Sequence, residues 1–343
     1  MRPLSAIQLA VRGRGAEKRA MRAWLCLPIL LFVSASLEGR QPGIVDPTIT
    51  AESVLLDPAD PARDRVGALR YLQGWVLRSR DSRFGGISDL AVHGDRLLGI
   101  SDTGTAIAFS LRNGRIADGA IRDLPAGPPP FLLKQDRDSE AFAVDPERRH
   151  IWIAFERHNE IWRYDAALGR AEGHVAPAAM QDWPLNGGPE AMIRLPDGRF
   201  MVFAEDAPGA APDTHALLVF PGDPAADRRP PLRMSYRPPA GYVATAVAAL
   251  PDGRLLVLNR RFRITEGVSA TLAIVDPKAI APGAVLEGRE LARLAPPLTV
   301  DNMEGLAVTQ ERGRTIVWMI SDDNFLALQR TILLKFALEL PER

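Results

Sequence analysis

Apolar residues in this 343-residue chain come in short runs, and the runs come in pairs. Asp138-Ser139-Glu140-Ala141-Phe142-Ala143-Val144-Asp145-Pro146 is answered by Ile151-Trp152-Ile153-Ala154-Phe155-Glu156-Arg157. Two such runs, rich in branched and aromatic residues and separated by turn formers, predict a tight β-hairpin. An acid stands at the start of its first strand and another at the end of its second. The pattern returns four times. Ile87 to Val92 leads into Arg96 to Asp102, Gly188 to Arg199 into Phe200 to Asp206, Val243 to Arg254 into Leu255 to Arg260, and Asn302 to Val308 into Thr315 to Asp323. Measured on the first-strand position (Asp89, Glu140, Glu190, Thr245, Glu304), the steps are 51, 50, 55 and 59 residues. Self-similarity at such a period marks a propeller-like array, whose units bury their faces only against one another.

Further strands follow each hairpin. Ile161 to Tyr164, Ala216 to Phe220, Thr271 to Val275 and Ile332 to Leu338 take the third place, and Pro231 to Arg237 and Val285 to Leu294 supply fourth strands. Pro196-Asp197-Gly198 and Pro251-Asp252-Gly253 read as hairpin turns in which glycine supplies the positive φ. The last unit ends about one strand short, and Val66 to Leu77 has the character to complete it. Such a pairing closes the ring and removes its exposed edges. The expected fold is all-β: a single β-propeller over residues 66–343 with five blades, or six if residues 45 to 88 hide a degenerate unit. Residues 36–65, rich in Pro, Asp and small side chains, read as a linker or arm.

The N-terminus changes the setting. Met21-Arg22-Ala23-Trp24, the apolar run Leu25 to Val33 and the small residues Val33-Ser34-Ala35 form a signal-peptide pattern over residues 1–35, in which residues 1–20 read as an extended n-region or an unused upstream start. The run is too short to span a bilayer, which takes ~20 residues. We therefore expect a periplasmic or secreted monomer, with no membrane insertion after cleavage. Removing this segment leaves 36 basic and 41 acidic residues and no cysteine, since Cys26 lies within it. Thiol catalysis and disulfides are thereby excluded from the mature chain. No basic face suited to nucleic acid stands out.

Candidate chemistry follows from hairpin geometry. The start of a first strand and the end of its antiparallel partner share one rim, so Asp89, Glu140, Glu190, Thr245 and Glu304 would ring the channel mouth. Asp102, Glu156, Glu205 (or Asp206), Asn259 and Asp322 (or Asp323) would form a second ring there. Carboxylates this dense raise one another's pKa values unless balanced. An oxygen-only set of this kind suits Ca²⁺, or Mg²⁺ in its place. Arg157, Arg260, Arg261, Arg83 and Lys134 adjoin the same loops and could balance the charge or receive an anionic substrate. His158 is the candidate general acid or base. The alternative for each acid is a turn cap that repeats because the blade repeats. There is no Gly-x-Ser-x-Gly elbow, His-Glu-x-x-His helix, phosphate loop or dinucleotide fingerprint.

Phe84-Gly85-Gly86-Ile87-Ser88-Asp89-Leu90, Asp138-Ser139-Glu140-Ala141, Gly188-Pro189-Glu190-Ala191-Met192 and Asp301-Asn302-Met303-Glu304-Gly305-Leu306 resemble the exported bacterial phytase-like proteins, described as having esterase-like activity of the phytase family. The likeness extends over roughly residues 65 to 340. It implies a β-propeller, an exported protein and, distantly, the calcium-dependent chemistry of propeller phytases. The expected function is hydrolysis of a phosphoester or carboxylic ester, with metal held by Asp89, Asp102, Glu140, Glu156, Glu190, Glu205, Asn259, Glu304 and Asp322. His158, Arg157, Arg260 and Lys134 would assist, acting on a small anionic or ester substrate. The alternatives are a non-catalytic propeller that binds a small ligand or protein, and a lactonase-type hydrolase using Glu140, Glu190, Asn259 and Glu304.

Overall fold

The computed structural model describes residues 43–130, 136–145, 147 and 149–340. The signal-peptide pattern and Lys134 lie outside them. Chain order begins with Ile49–Ser53 (β1), Arg65–Val66 (β2) and Leu69–Ser79 (β3). Ile87–His93 (β4), Arg96–Ser101 (β5), Thr105–Arg112 (β6) and Arg115–Asp123 (β7) make the first complete blade. Ser139–Val144 (β8), His150–Phe155 (β9), Glu160–Asp165 (β10) and Ala171–Val175 (β11) make the second. The third is Pro189–Arg194 (β12), Phe200–Pro208 (β13), His215–Phe220 (β14) and Leu232–Arg237 (β15). Val243–Ala249 (β16), Leu255–Arg263 (β17) and Gly267–Val275 (β18) begin the fourth. Val285–Glu287 (β19) then crosses back to pair parallel with β15, and Arg289–Leu294 (β20) completes the fourth blade. The fifth holds Asn302–Glu311 (β21), Arg314–Asp322 (β22) and Ile332–Leu338 (β23).

The ring closes as the sequence implies. β23 pairs antiparallel with β3, from Ile332 opposite Val76 to Leu338 opposite Leu69. β1, within the stretch expected to be an arm, adds an outer strand by pairing with β3. The innermost strands β4, β8, β12, β16 and β21 each pack against two neighbours, in that order and back to the first. The protein is thus a five-bladed β-propeller among its described residues.

Alternation along the strands builds the core between blades. In β23, Ile332, Leu334 and Phe336 pack with Leu256, Leu258 and Leu272 of the fourth blade. Leu333 and Ala337, on the opposite face, pack with Ile87, Leu97 and Ile107 of the first. Successive side chains point to opposite faces of a strand, so a strand between two blades must be apolar on both. Trp152, Trp162 and Trp318 fill such interfaces and are buried, as expected. The two Pro-Asp-Gly-Arg turns behave alike: Gly198 and Gly253 have φ of 89° and 85°, and Asp197 and Asp252 accept from the amides of Arg199 and Arg254.

Candidate functional site

The inner hairpins share one irregularity. In each, the first strand carries an extra residue that the register skips: Ser88, Glu140, Glu190, Thr245 and Glu304. A bulge of this kind bends the strand and re-aims the extra side chain. The bulged residues form the first ring. Two residues before each bulge, Gly86, Asp138, Gly188, Val243 and Asn302 face Asp102, Glu156, Glu205, Arg260 and Asp322. Those five form the second ring.

Two sequence expectations shift with this register. Asp89 lies one residue past the bulge and faces the channel below the mouth. Its Oδ1 accepts from the Leu90 amide at 2.7 Å and its Oδ2 from the Phe142 amide at 3.2 Å. It lines a cavity of about 200 Å³ with Val92, Val144 and Val308, toward the other end of the channel. Burial pushes its carboxyl up to about 8, against the pull of these amides and that of Leu306. Asn259 is likewise one residue short of the mouth: fully buried, it accepts from the Tyr236 hydroxyl at 2.9 Å and donates to the Val257 carbonyl. The ligand set Glu140, Glu190, Asn259 and Glu304 is therefore not assembled. Thr245 holds its place on the first ring but donates to the Met303 carbonyl at 3.1 Å.

The mouth itself is a cavity of about 210 Å³ lined by eight acids, Asp102, Asp138, Glu140, Glu156, Glu190, Glu205, Glu304 and Asp322, with Arg157, Arg260, Asn186 and Asn324. His158, in the turn after β9, is not among the lining residues. Arg83 is paired with Asp81 at 2.7 Å, and Arg261 with Glu266 across the face of Tyr242. Of the five cations proposed for the rim, Arg157 and Arg260 line it. Asp323, the alternative to Asp322, caps the Gly86 amide and accepts from the Thr331 hydroxyl.

Burial and crowding set the electrostatics. Glu140 is held well above the ordinary glutamate range, first by burial and then by Glu190, Asp138 and Glu156, and Glu190 likewise by burial and then by Glu205 and Glu156, against the pull of Arg260. Asp322 is raised by burial and by Glu304 and Asp102. Glu156 rises to about 7 through burial, although the Gly187 and Gly188 amides both donate to its Oε1 and pull it down. This approach requires glycine: a Cβ on Gly188 would stand 3.1 Å from Glu156 Cγ and 2.5 Å from Asn159 Oδ1. Glu304 also reaches about 7, burial outweighing the attraction of Arg260. Asn302 donates to its Oε1 at 2.7 Å.

Arg260 is the cation inside the rings. It donates to Glu205 Oε1 at 2.8 Å and to Asn302 Oδ1 at 2.9 Å, and stands 3.7 Å from Glu190 and 3.5 Å from Glu304. Burial alone would lower its pKa, but Glu304, Glu205, Glu190 and Asp322 reverse this and raise it. Arg157 donates to Asn186 at 3.2 Å and forms no ion pair among the described residues.

Two sets of carboxylates could hold a metal ion: Asp138, Glu140 and Glu156, and Glu156, Glu190 and Glu205, with ligand oxygens inside each set within 4.8 Å of one another. The donors are all hard oxygens, and burial opposes leaving them charged and uncompensated, so the set fits a hard divalent cation. Sequence reasoning missed Asp138. Its signal was available, because it precedes Glu140 by the same two positions that separate Asn302 from Glu304.

The model of a phytase-like family, described as esterase-like activity of phytase, matches residues 82–325. No curated protein matches. Solved structures are similar at fold level: Myxococcus xanthus glutaminyl cyclase (10% identity over 78% of this chain and 97% of that one, TM-score 0.45), the Kuenenia stuttgartiensis hydrazine synthase (15%, 71% and 58%, 0.35), and the β-propeller domain of Myceliophteria thermophila Cps50 (15%, 74% and 69%, 0.34).

Proposed function

Because the chain belongs to the phytase-like family, we propose that it is an exported hydrolase of phosphoesters or carboxylic esters, assisted by a divalent cation at the acidic mouth. The observation that carries this reading is the pair of carboxylate triads meeting at Glu156. Eight acids face two arginines there, an imbalance that a buried turn cap has no use for. Calcium fits the oxygen-only donors, with magnesium as the smaller alternative. When bound, the cation supplies Lewis acidity toward an ester oxygen.

The chain's own residues do the rest. Arg157, at the rim and held by an amide rather than a carboxylate, is placed to receive the anionic end of a substrate. Glu304 belongs to neither triad, and burial places its pKa near neutrality, the range suited to proton transfer. Its Oε1 is engaged by Asn302, which leaves Oε2 to carry the proton. The small mouth cavity favours a single ester group over an extended polymer.

A second reading has one observation of its own. If the mouth only binds a ligand, its acids should be balanced internally, and Arg260 does pair with Glu205. The full chain assayed against a generic phosphomonoester and a short acyl ester, in EDTA and in added Ca²⁺, separates the two. Cation-dependent turnover that disappears in Glu140→Gln supports hydrolysis. A melting temperature raised by Ca²⁺ with no turnover of either ester class leaves a binding propeller.

A further inference from the structure

The fourth blade breaks the acid pattern in a specific way. At the second-ring position, four blades present Asp102, Glu156, Glu205 and Asp322, and the fourth presents Arg260. At the first-ring position the same blade presents Thr245, whose hydroxyl is turned to a backbone carbonyl of the fifth blade. The guanidinium reaches across from β17 into the neighbouring blades: one Nη donates to Glu205, from the third blade, and the other to Asn302, from the fifth. Asn302 in turn donates to Glu304, so Arg260 engages both flanking blades of the ring.

Resting on the cation reading above, we infer that Arg260 is a built-in cation: it fills the Glu190–Glu205 side of the mouth and confines a bound divalent ion to the Asp138–Glu140–Glu156 side. The two triads share Glu156, yet Arg260 engages the carboxylates of only one of them. Glu190 and Glu205 lie 3.7 and 2.8 Å from Arg260 Nη2, while Arg260 forms no ion pair with Asp138 or Glu140. A hard ion entering the Glu190–Glu205 side would have to displace a fixed guanidinium from charge-assisted hydrogen bonds, and would meet its like charge at contact distance. An arginine fork suits this place better than lysine, since its separate nitrogens bond Glu205 and Asn302 together. The role is positioning: Arg260 decides how many ions the mouth holds and where, without itself meeting the substrate.

Calcium titration calorimetry on the full chain tests this. The wild type is expected to bind one ion and Arg260→Gln two, whereas Arg260→Lys, which keeps the charge, should remain at one. Within the wild-type background, Glu140→Gln should weaken binding at least tenfold and Glu205→Gln should change it less than twofold. That comparison stands even if Arg260→Gln fails to fold. An unchanged stoichiometry in a folded Arg260→Gln overturns the inference, as does a Glu205→Gln loss equal to that of Glu140→Gln. If neither wild type nor Arg260→Gln binds Ca²⁺, the cation reading and this inference fall together. If the wild type binds none and Arg260→Gln binds one, the Asp138–Glu140–Glu156 side is no ion site in the natural protein, and the cation reading and this inference are both overturned.

Discussion

Replacing Glu156 by glutamine separates a site built for a cation from a turn cap that happens to be acidic. The side chain is buried and belongs to both triads, and its Oε1 receives the Gly187 and Gly188 amides. Glutamine keeps the shape and an acceptor oxygen for these amides while removing the charge. In the absence of a divalent ion, the folded carboxyl titrates at about 7, against 4.5 for a free glutamate. The folded protein then holds a proton that the unfolded chain has released, so its stability falls as pH rises from 4.5 toward 7. At ~1.4 kcal/mol per pH unit, the full cost of ionising Glu156 above neutrality is up to about 3 kcal/mol. Glu156→Gln should therefore be more stable than the wild type in EDTA at pH 8, by up to about 3 kcal/mol or roughly 5 °C in a domain of this size. Below pH 4.5 the two should converge.

Added Ca²⁺ should reverse the order. An ion present at a hundred times its dissociation constant stabilises the wild type by ~2.7 kcal/mol, and the variant, short of a shared ligand, by much less. The assay is a set of melts by circular dichroism across pH 4 to 9, with EDTA and with Ca²⁺. A variant less stable than the wild type in EDTA at pH 8 would refute the reasoning, because the charge would then be contributing to the fold through its glycine amides. A wild type indifferent to Ca²⁺ would leave the buried charge without a purpose in cation binding.

Arg157→Ala should lower kcat/KM for an anionic ester about tenfold, the loss of one charge-assisted contact worth ~1.4 kcal/mol, with an unchanged melting temperature; steady-state kinetics against a neutral ester provides the control. Asp89 should give the wild type a second pH dependence: with its folded carboxyl at about 8 against 3.8 when free, stability is lost as pH rises between those values, and Asp89→Asn should flatten that slope in EDTA melts. Trp75→Ala, at a residue 2% exposed in the closing strand, should cost ~3–5 kcal/mol by opening a cavity between the fifth and first blades. Hydrogen exchange should then accelerate first in β3 and β23, and exchange confined to another blade would contradict closure by this pair.

What the sequence made legible, and what it hid, follows from one property of β-strands. Blade number, third strands and the closing strand depend on where apolar runs begin and end, and a period of about 50 residues survives an error of one position at any of them. The site does not survive it, because a shift of one residue turns a side chain to the other face. The bulges at Glu140, Glu190, Thr245 and Glu304 set a frame that places Ser88, not Asp89, on the first ring and Arg260, not Asn259, on the second. A bulge leaves no reliable mark in a single sequence, since the extra residue is skipped in pairing rather than chosen for its type. The acids were legible because three of the five bulged residues are Glu, and the ruler laid along them was right wherever it met one. In the two blades that had none, chemical likeness favoured a polar neighbour: Asp89 over Ser88 on the first ring of the first blade, and Asn259 over Arg260 on the second ring of the fourth, where Thr245 itself is the bulged residue. In the fourth blade that error concealed the substitution with the largest consequence: an acid ring interrupted by an arginine differs in charge by two from a complete one, and that difference decides how many cations the mouth can accept.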